Sequence, residues 1–193
     1  MALSTGTKNI KTAVFISGKG SNLKSLIKFS KLKKSPISIE IIISNNPKSK
    51  GLTFGKIYKI RKKIFNFDKH IKAEKEILKL LKKRKINLIC LAGFMKILSK
   101  SFIQSFKGQI LNIHPSLLPK YKGLNTHERA IKNKDNYSGC TVHFVNSKLD
   151  SGKIINQKKV KINKKDTPKT LAKKILAEEH KLYPEAILKI FSL

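Results

Sequence analysis

The stretch TAVFISGKGSNLKSLI, Thr12 to Ile27, reads as a buried strand, a glycine turn and the start of an amphipathic helix. TAVFIS is an apolar run of strand length. Leu23, Leu26 and Ile27 then recur at helical spacing and form one apolar face. A strand that turns through glycine into a helix opens an α/β unit. Backbone N–H groups at such a helix N-terminus suit a phosphate. The turn Gly18-Lys19-Gly20-Ser21-Asn22 is not a dinucleotide GxGxxG, because Leu23 holds the last glycine position. The GxxxxGK[ST] spacing is absent too. An ordinary tight turn accounts for the stretch equally well.

The same alternation continues downstream. Ile37 to Ser44 predicts a second strand, closed by Asn45-Asn46-Pro47. Gly51 to Lys59 predicts a helix weakened by Gly55, and Ile64 to Phe67 a short strand. Ala73 to Lys85 predicts a helix with Ile77, Leu78 and Leu81 on one side. Ile86 to Ala92 is a further buried strand, Asn125 to Asn133 a helix, and Gly139 to Asn146 an alternating strand. Ile154 to Val160 predicts the last strand. Thr167 to His180 predicts a helix with Asp166 as N-cap and Pro168 near its start. Tyr183-Pro184 is expected to begin a separate terminal helix. Strands alternating with helices predict an α/β fold with a parallel sheet. No repeat or low-complexity linker interrupts residues 1–193, so one domain is expected, preceded by a short disordered extension over about residues 1–10.

With 193 residues, 40% of them hydrophobic, the chain is large enough for one domain with a real core. No apolar run approaches the roughly 20 residues of a membrane span, and the first residues lack a signal peptide's apolar segment. Cys90 and Cys140 are too few for a disulfide framework or a paired-cysteine metal knuckle. These features predict a soluble, cytoplasmic protein with no metal and no membrane partner. The charge is unusual: 43 Lys plus Arg against 11 Asp plus Glu, formally +32. Such a balance ordinarily suggests nucleic acid. Yet only Arg61, Arg84 and Arg129 are arginines, and arginine is the better reader of bases and phosphates. The lysines are also spread along the chain. Abundant Lys, Ile and Asn match AT-rich codons, so the charge reads as compositional drift, and no specific nucleic acid is expected.

The chemistry concentrates in QILNIHPSLLPKY, Gln109 to Tyr121. In an extended segment residues i and i+2 share a side, so Asn112 and His114 should face one cavity. Pro115 and Pro119 stiffen the exit. A purely structural histidine remains an alternative for His114 taken alone. Gly93 to Leu98 follows a strand, and ligands of open α/β sheets sit beyond the carboxyl ends of strands. An apolar, Met-containing loop there suits a flat ring, although capping of the core accounts for Met95 and Leu98 as well. The loop Ser147 to Gly152 carries Asp150. If a primary amine attacks a formyl group, the carbonyl oxygen becomes negative and needs preset donors. Asn112 can donate through its NH2, and a protonated His114 more strongly. A neighbouring carboxylate favours the imidazolium, and Asp150 is the candidate.

With ISGKGSN upstream, LAGFMKIL before it and VHFVNSKLDSG after it, LNIHPSLLPKY resembles the phosphoribosylglycinamide formyltransferases, folate-dependent enzymes of de novo purine synthesis. The resemblance runs from about Ala13 to Pro184. HPSLLP is shared by a wider group of formyl-handling enzymes, whereas the Ser17-to-Asn22 turn points to glycinamide ribonucleotide. The resemblance implies a single-domain, Rossmann-like formyltransferase fold, with a mostly parallel central sheet flanked by helices. It implies 10-formyltetrahydrofolate as co-substrate, 5-phosphoribosylglycinamide as acceptor, no metal, and a monomer or weak homodimer.

The resemblance also implies roles for the matching positions. Gly20, Ser21 and Asn22 would hold the ribonucleotide phosphate, with Gly20 letting the backbone come close to it, and Glu179 would contact the ribose. His70, Met95, Lys96, Ile97, Leu98 and Asn112 would bind the folate, with Leu91, Val145 and Leu149 as apolar walls. Asn112, His114 and Asp150 would be catalytic. The chain departs from the family's pattern at His70 and Lys96, where arginine is common, at Gln109, where a basic residue often stands, and at Lys122, a usual proline. Methionyl-tRNA formyltransferase, a formyltetrahydrofolate deformylase and a nonenzymatic polyanion-binding α/β protein are the competing readings.

Overall fold

A computed structural model describes residues 10–191. Apart from Ile10, the expected N-terminal extension lies outside the described residues. The elements are β1 (Ile10–Ile16), α1 (Ser21–Ser30), β2 (Ile37–Ser44), α2 (Thr53–Ile57), β3 (Arg61–Ile64), α3 (His70–Lys83) and β4 (Leu88–Leu91). They continue with α4 (Lys100–Ser105), β5 (Gln109–His114), α5 (Thr126–Lys132), β6 (Tyr137–Phe144), β7 (Ile154–Lys161) and α6 (Pro168–Phe191). One seven-stranded sheet has the order β3-β2-β1-β4-β5-β6-β7. Its first five strands are parallel, and β6 and β7 are antiparallel additions. The fold is α/β, with a mostly parallel central sheet flanked by helices.

Successive side chains of a strand point to opposite faces, and here each face has its own apolar layer. From β1, Val14 and Ile16 pack with Leu23, Leu26 and Ile27 of α1 and with Ile175, Leu182 and Ile187 of α6. Ala13 and Phe15 pack on the other face, with Ile77 and Leu81 of α3 and Phe102 of α4. The chain winds outward from β1 to β3 and then returns to β4. The carboxyl ends of β1 and β4 therefore flank a topological switch point, where open α/β sheets bind ligands.

Four local readings need correction. The third strand is Arg61–Ile64, not Ile64–Phe67. It is an edge strand, exposed throughout, so its basic residues carry no apolar pattern, while Phe65 and Phe67 are core residues beyond it. Gly51 to Lys59 is a 3-10 turn, Lys50–Leu52, followed by the short α2. Finally, α6 is one helix that runs through Pro184. Proline removes the N–H that would bond the carbonyl four residues back. That carbonyl belongs to His180, and Ser25 Oγ of α1 donates to it at 2.7 Å instead. The cap of α6 is Thr167, whose Oγ1 accepts from Thr170 N–H at 3.2 Å. Asp166 instead accepts from Asn163 N–H at 2.8 Å and from Lys174 Nζ at 2.6 Å.

Candidate active site

Ile110 of β5 faces the α3–α4 layer, so Asn112 and His114 leave the strand on that same side. β6 runs antiparallel beside them, with Asn112 opposite His143 and His114 opposite Thr141. β6 takes its helix packing from α5 and α6, on the other face. The polar face of this strand pair is instead covered by loops. Thr141 Oγ1 donates to Ser116 O at 2.6 Å and accepts from Leu118 N–H at 3.1 Å, which seats the Pro-rich loop after β5.

Asp150 comes from the loop between β6 and β7 and meets these side chains. Its Oδ2 lies 3.3 Å from His114 Nδ1 and accepts from Gly123 N–H at 2.9 Å. Its Oδ1 accepts from Asn112 Nδ2 at 3.4 Å and lies 3.7 Å from His143 Nε2. Asp150 and His114 are both buried. The Asp150 backbone has φ +44°, a left-handed conformation that aspartate tolerates better than most residues and that recurs where function fixes the chain. The structure therefore brings Asn112, His114 and Asp150 together.

Burial draws the His114 imidazole below its ordinary value, outweighing the Tyr121 carbonyl and the Asp150 charge, which pull the other way. Asp150 pulls toward the imidazolium as expected, and desolvation pulls harder the other way. His114 Nε2 lies 2.8 Å from Tyr121 O. A neutral ring that donates there leaves Nδ1 unprotonated, facing Asp150. Burial pushes Asp150 up, but His143, the Gly123 N–H and the His114 charge together hold it below the usual carboxylate range. With Nε2 facing a carbonyl and Nδ1 facing a carboxylate, the pair is arranged to exchange one proton.

His143 was not among the expected residues. Its Nδ1 lies 2.8 Å from Phe144 O and its Nε2 3.3 Å from Asn112 Nδ2. Its Nε2 thus lies between the Asn112 amide and the Asp150 carboxylate and helps fix where both sit. The alternation of β6 already placed His143 on one face. What the sequence lacked was the pairing of β6 with β5, a contact across 31 residues.

At the first glycine turn, Gly20 caps α1 with φ +74°. A Cβ on Gly20 would stand 2.7 Å from Gly51 Cα. Glycine is therefore required here by the close approach of the Lys50–Leu52 turn. No side chain caps α1, so its first-turn N–H groups stay available at Ser21 and Asn22. Asn22 Nδ2 donates to Glu179 Oε2 at 2.6 Å, bringing these two expected residues together from opposite ends of the chain. Burial raises the Glu179 carboxyl to about 7, against the Asn22 hydrogen bond.

The loop after β4 is pinned at both ends. Met95 N–H donates to Ser17 Oγ at 2.8 Å, and buried Glu74 accepts from Ser99 N–H at 2.7 Å. Between the pins, Met95 and Ile97 are exposed, as is Leu149 across the site. Leu98 is buried in the α3–α4 core, as is Leu91. Val145 packs at the edge of that layer. His70 Nε2 bonds Glu74 Oε1 at 3.0 Å. A cavity of about 400 Å³ is lined by Ser17, Asn45, Asn46, Phe67, Met95 and Lys96, among others. It adjoins the loop after β4, and the Asn112–His114–Asp150 cluster does not line it. Exposed apolar groups beside a roomy cleft fit a flat, amphipathic ring with a polar tail. Among the described residues, no group of three or more His, Cys, Asp or Glu side chains could hold a metal ion. No helix among them is long and apolar enough to cross a membrane.

An open α/β sheet that gathers an amide, an imidazole and a carboxylate beyond one strand end has the parts of a group-transfer enzyme acting at a carbonyl carbon. The chain belongs to the formyl transferase family, which matches residues 10–187. It is 43% identical over 180 residues to the phosphoribosylglycinamide formyltransferase of Haemophilus influenzae, covering 92% of this chain and 85% of that one. It is 40% identical over 183 residues to the human trifunctional purine biosynthetic protein adenosine-3. That match covers 93% of this chain but spans only 18% of the human protein's length. The crystal structure of phosphoribosylglycinamide formyltransferase from Brucella melitensis superposes with a TM-score of 0.91 at 39% identity, covering 96% of this chain and 97% of the other.

Proposed function

We propose that the chain transfers the formyl group of 10-formyltetrahydrofolate to the primary amine of 5-phosphoribosylglycinamide, as a cytoplasmic enzyme of purine synthesis. The observation that carries the reading is the Asp150 carboxylate, set between His114 at 3.3 Å and Asn112 at 3.4 Å beyond β5. The folate supplies an activated formyl carbon, and the exposed Met95, Ile97 and Leu149 suit its ring. Lys96 lines the cavity as a cation for an acidic tail, and His70 stacks beside the lining residue Phe67. The first turn of α1 suits the ribonucleotide phosphate, and Glu179 suits the ribose.

In this reading the amine nitrogen bonds to the formyl carbon, and the carbonyl oxygen becomes an oxyanion. Asn112 keeps one N–H toward His143 and shifts the other from Asp150 Oδ1, 3.4 Å away at rest, to that oxygen, where it stabilises the developing charge. The His114–Asp150 pair takes the proton the amine loses. Protonation of His114 Nδ1 creates an imidazolium beside the Asp150 carboxylate, whose charge offsets part of the cost of burying it. The same proton then goes to the departing folate nitrogen as the old C–N bond breaks. Small molecules are the expected partners of a monomer or weak homodimer, with no specific nucleic acid and no membrane.

The test is incubation with 10-formyltetrahydrofolate and, separately, glycinamide ribonucleotide, charged initiator tRNA or buffer alone, with products resolved by chromatography. Formylated ribonucleotide is the expected product. Formyl-methionyl-tRNA, or formate from the buffer arm at a comparable rate, would reject the reading.

A further inference from the structure

We infer that Arg129 is a positioning residue, stapling from α5 the loop whose backbone holds His114 and Asp150. The kinetic part of the inference rests on the formyl-transfer reading. Only three of the 43 cationic side chains are arginine. Arg129 uses its guanidinium in a way that lysine cannot. Its Nη1 donates to Lys122 O at 2.7 Å and lies 3.4 Å from Leu124 O. Its guanidinium carbon stands 4.9 Å from the Tyr121 ring centroid. A planar fork can bridge carbonyls and stack on a ring together, whereas an ammonium is a point charge.

The residues it touches surround both partners of the catalytic pair. Lys122 and Leu124 flank Gly123, whose N–H donates to Asp150. Tyr121 supplies the carbonyl that faces His114 Nε2. Alternate residues of this loop are left-handed: Tyr121 at φ +57°, Gly123 at +77° and Asn125 at +57°. Such a backbone makes no regular ladder and depends on side-chain partners to fix its groups. Tyr121 is held at its far end, where its hydroxyl donates to Asp135 at 2.8 Å and accepts from Asn133. Arg129 holds the near side. Being exposed, it contributes to this geometry without being part of the core.

Arg129→Lys and Arg129→Gln test the staple through steady-state kinetics and amide hydrogen exchange at Gly123. Both variants should fold with nearly the wild-type melting temperature. In both, kcat should fall about tenfold while the KM for each substrate stays within about twofold, the pattern of an interaction needed in the transition state. Gly123 exchange should accelerate in parallel. Wild-type kcat in Arg129→Lys would overturn the inference, because charge alone would then suffice. A lowered kcat with unchanged Gly123 exchange would overturn it as well. A wild-type enzyme that formylates no ribonucleotide would defeat the functional reading, while the exchange comparison would still decide the staple.

Discussion

Glu179 is a carboxylate that the fold alone would not select. It is buried, its recorded partner is the Asn22 amide, and Asn22 Oδ1 faces no partner itself. Burial lifts the carboxyl from 4.5 to about 7. Between those values the folded protein holds a proton that the unfolded chain has released. Wild-type stability therefore falls as pH rises through this window and stays lower above it. Glu179→Gln keeps an acceptor for Asn22 but cannot ionise. The variant should be more stable than wild type at pH 8, by up to about 3 kcal/mol, with the gap closing below pH 4.5. Urea unfolding at both pH values measures this. The KM for the ribonucleotide should rise in the same variant, the usual cost when a site residue is replaced for stability. Asp150→Asn makes a different demand. It removes a charge that raises the His114 pKa, so the His114 titration, followed by NMR, should move still lower. In the same variant kcat should drop by about 10² or more. Added to His114→Ala, it should cost little further, because the two act as one unit. The side of β5 that Asn112 and His114 share was legible from their spacing alone. Asp150 was legible as a scarce acid on a loop. His143 was not, because its partner lies on a strand whose pairing no local pattern encodes.

Elements with a buried stripe were read well, and the misreadings fall where another element settles the outcome. β2 carries apolar residues to both layers, and its predicted span, Ile37 to Ser44, is the observed one. β3 has no buried residue and was displaced onto the aromatic residues beside it. α6 was divided at Pro184 because a proline within a helix normally breaks it. The missing information was a serine on α1. This predicts a coupling between two helices distant in sequence. Ser25→Ala leaves the His180 carbonyl without its donor and should cost about 1–2 kcal/mol. With Pro184→Ala, an N–H returns to that carbonyl, and Ser25→Ala should then cost almost nothing. Urea denaturation of the four proteins in the cycle gives the interaction energy. Additive losses would mean that the carbonyl is satisfied in another way.

At the scale of the molecule, the charge follows the sheet. The outermost strands carry Arg61, Lys62 and Lys63 on β3 and Lys158, Lys159 and Lys161 on β7, whereas Lys11 is the single Lys or Arg on the five strands between them. Edge strands offer unpaired backbone to other chains, and lysines there oppose such pairing. Drift in composition explains why the cations are lysines but not where the sheet omits them. Replacing Lys158, Lys159 and Lys161 together by threonine should leave the fold intact and cause self-association. Light scattering at a concentration where the wild type is monodisperse would detect it, and a monodisperse variant would assign the edge charge no protective part. The two apolar layers have a separate consequence. Asn22 and Glu179, which the proposed reading gives to the ribonucleotide, are rooted in α1 and α6. The loop after β4, which the same reading gives to the folate, is rooted through Glu74 in α3, on the opposite face. The sheet thus acts as a bulkhead between two compartments, each, in the proposed reading, the foundation of one substrate's berth. Wear in one compartment can accumulate over generations as weakened grip on a single substrate, while the other is held as firmly as before.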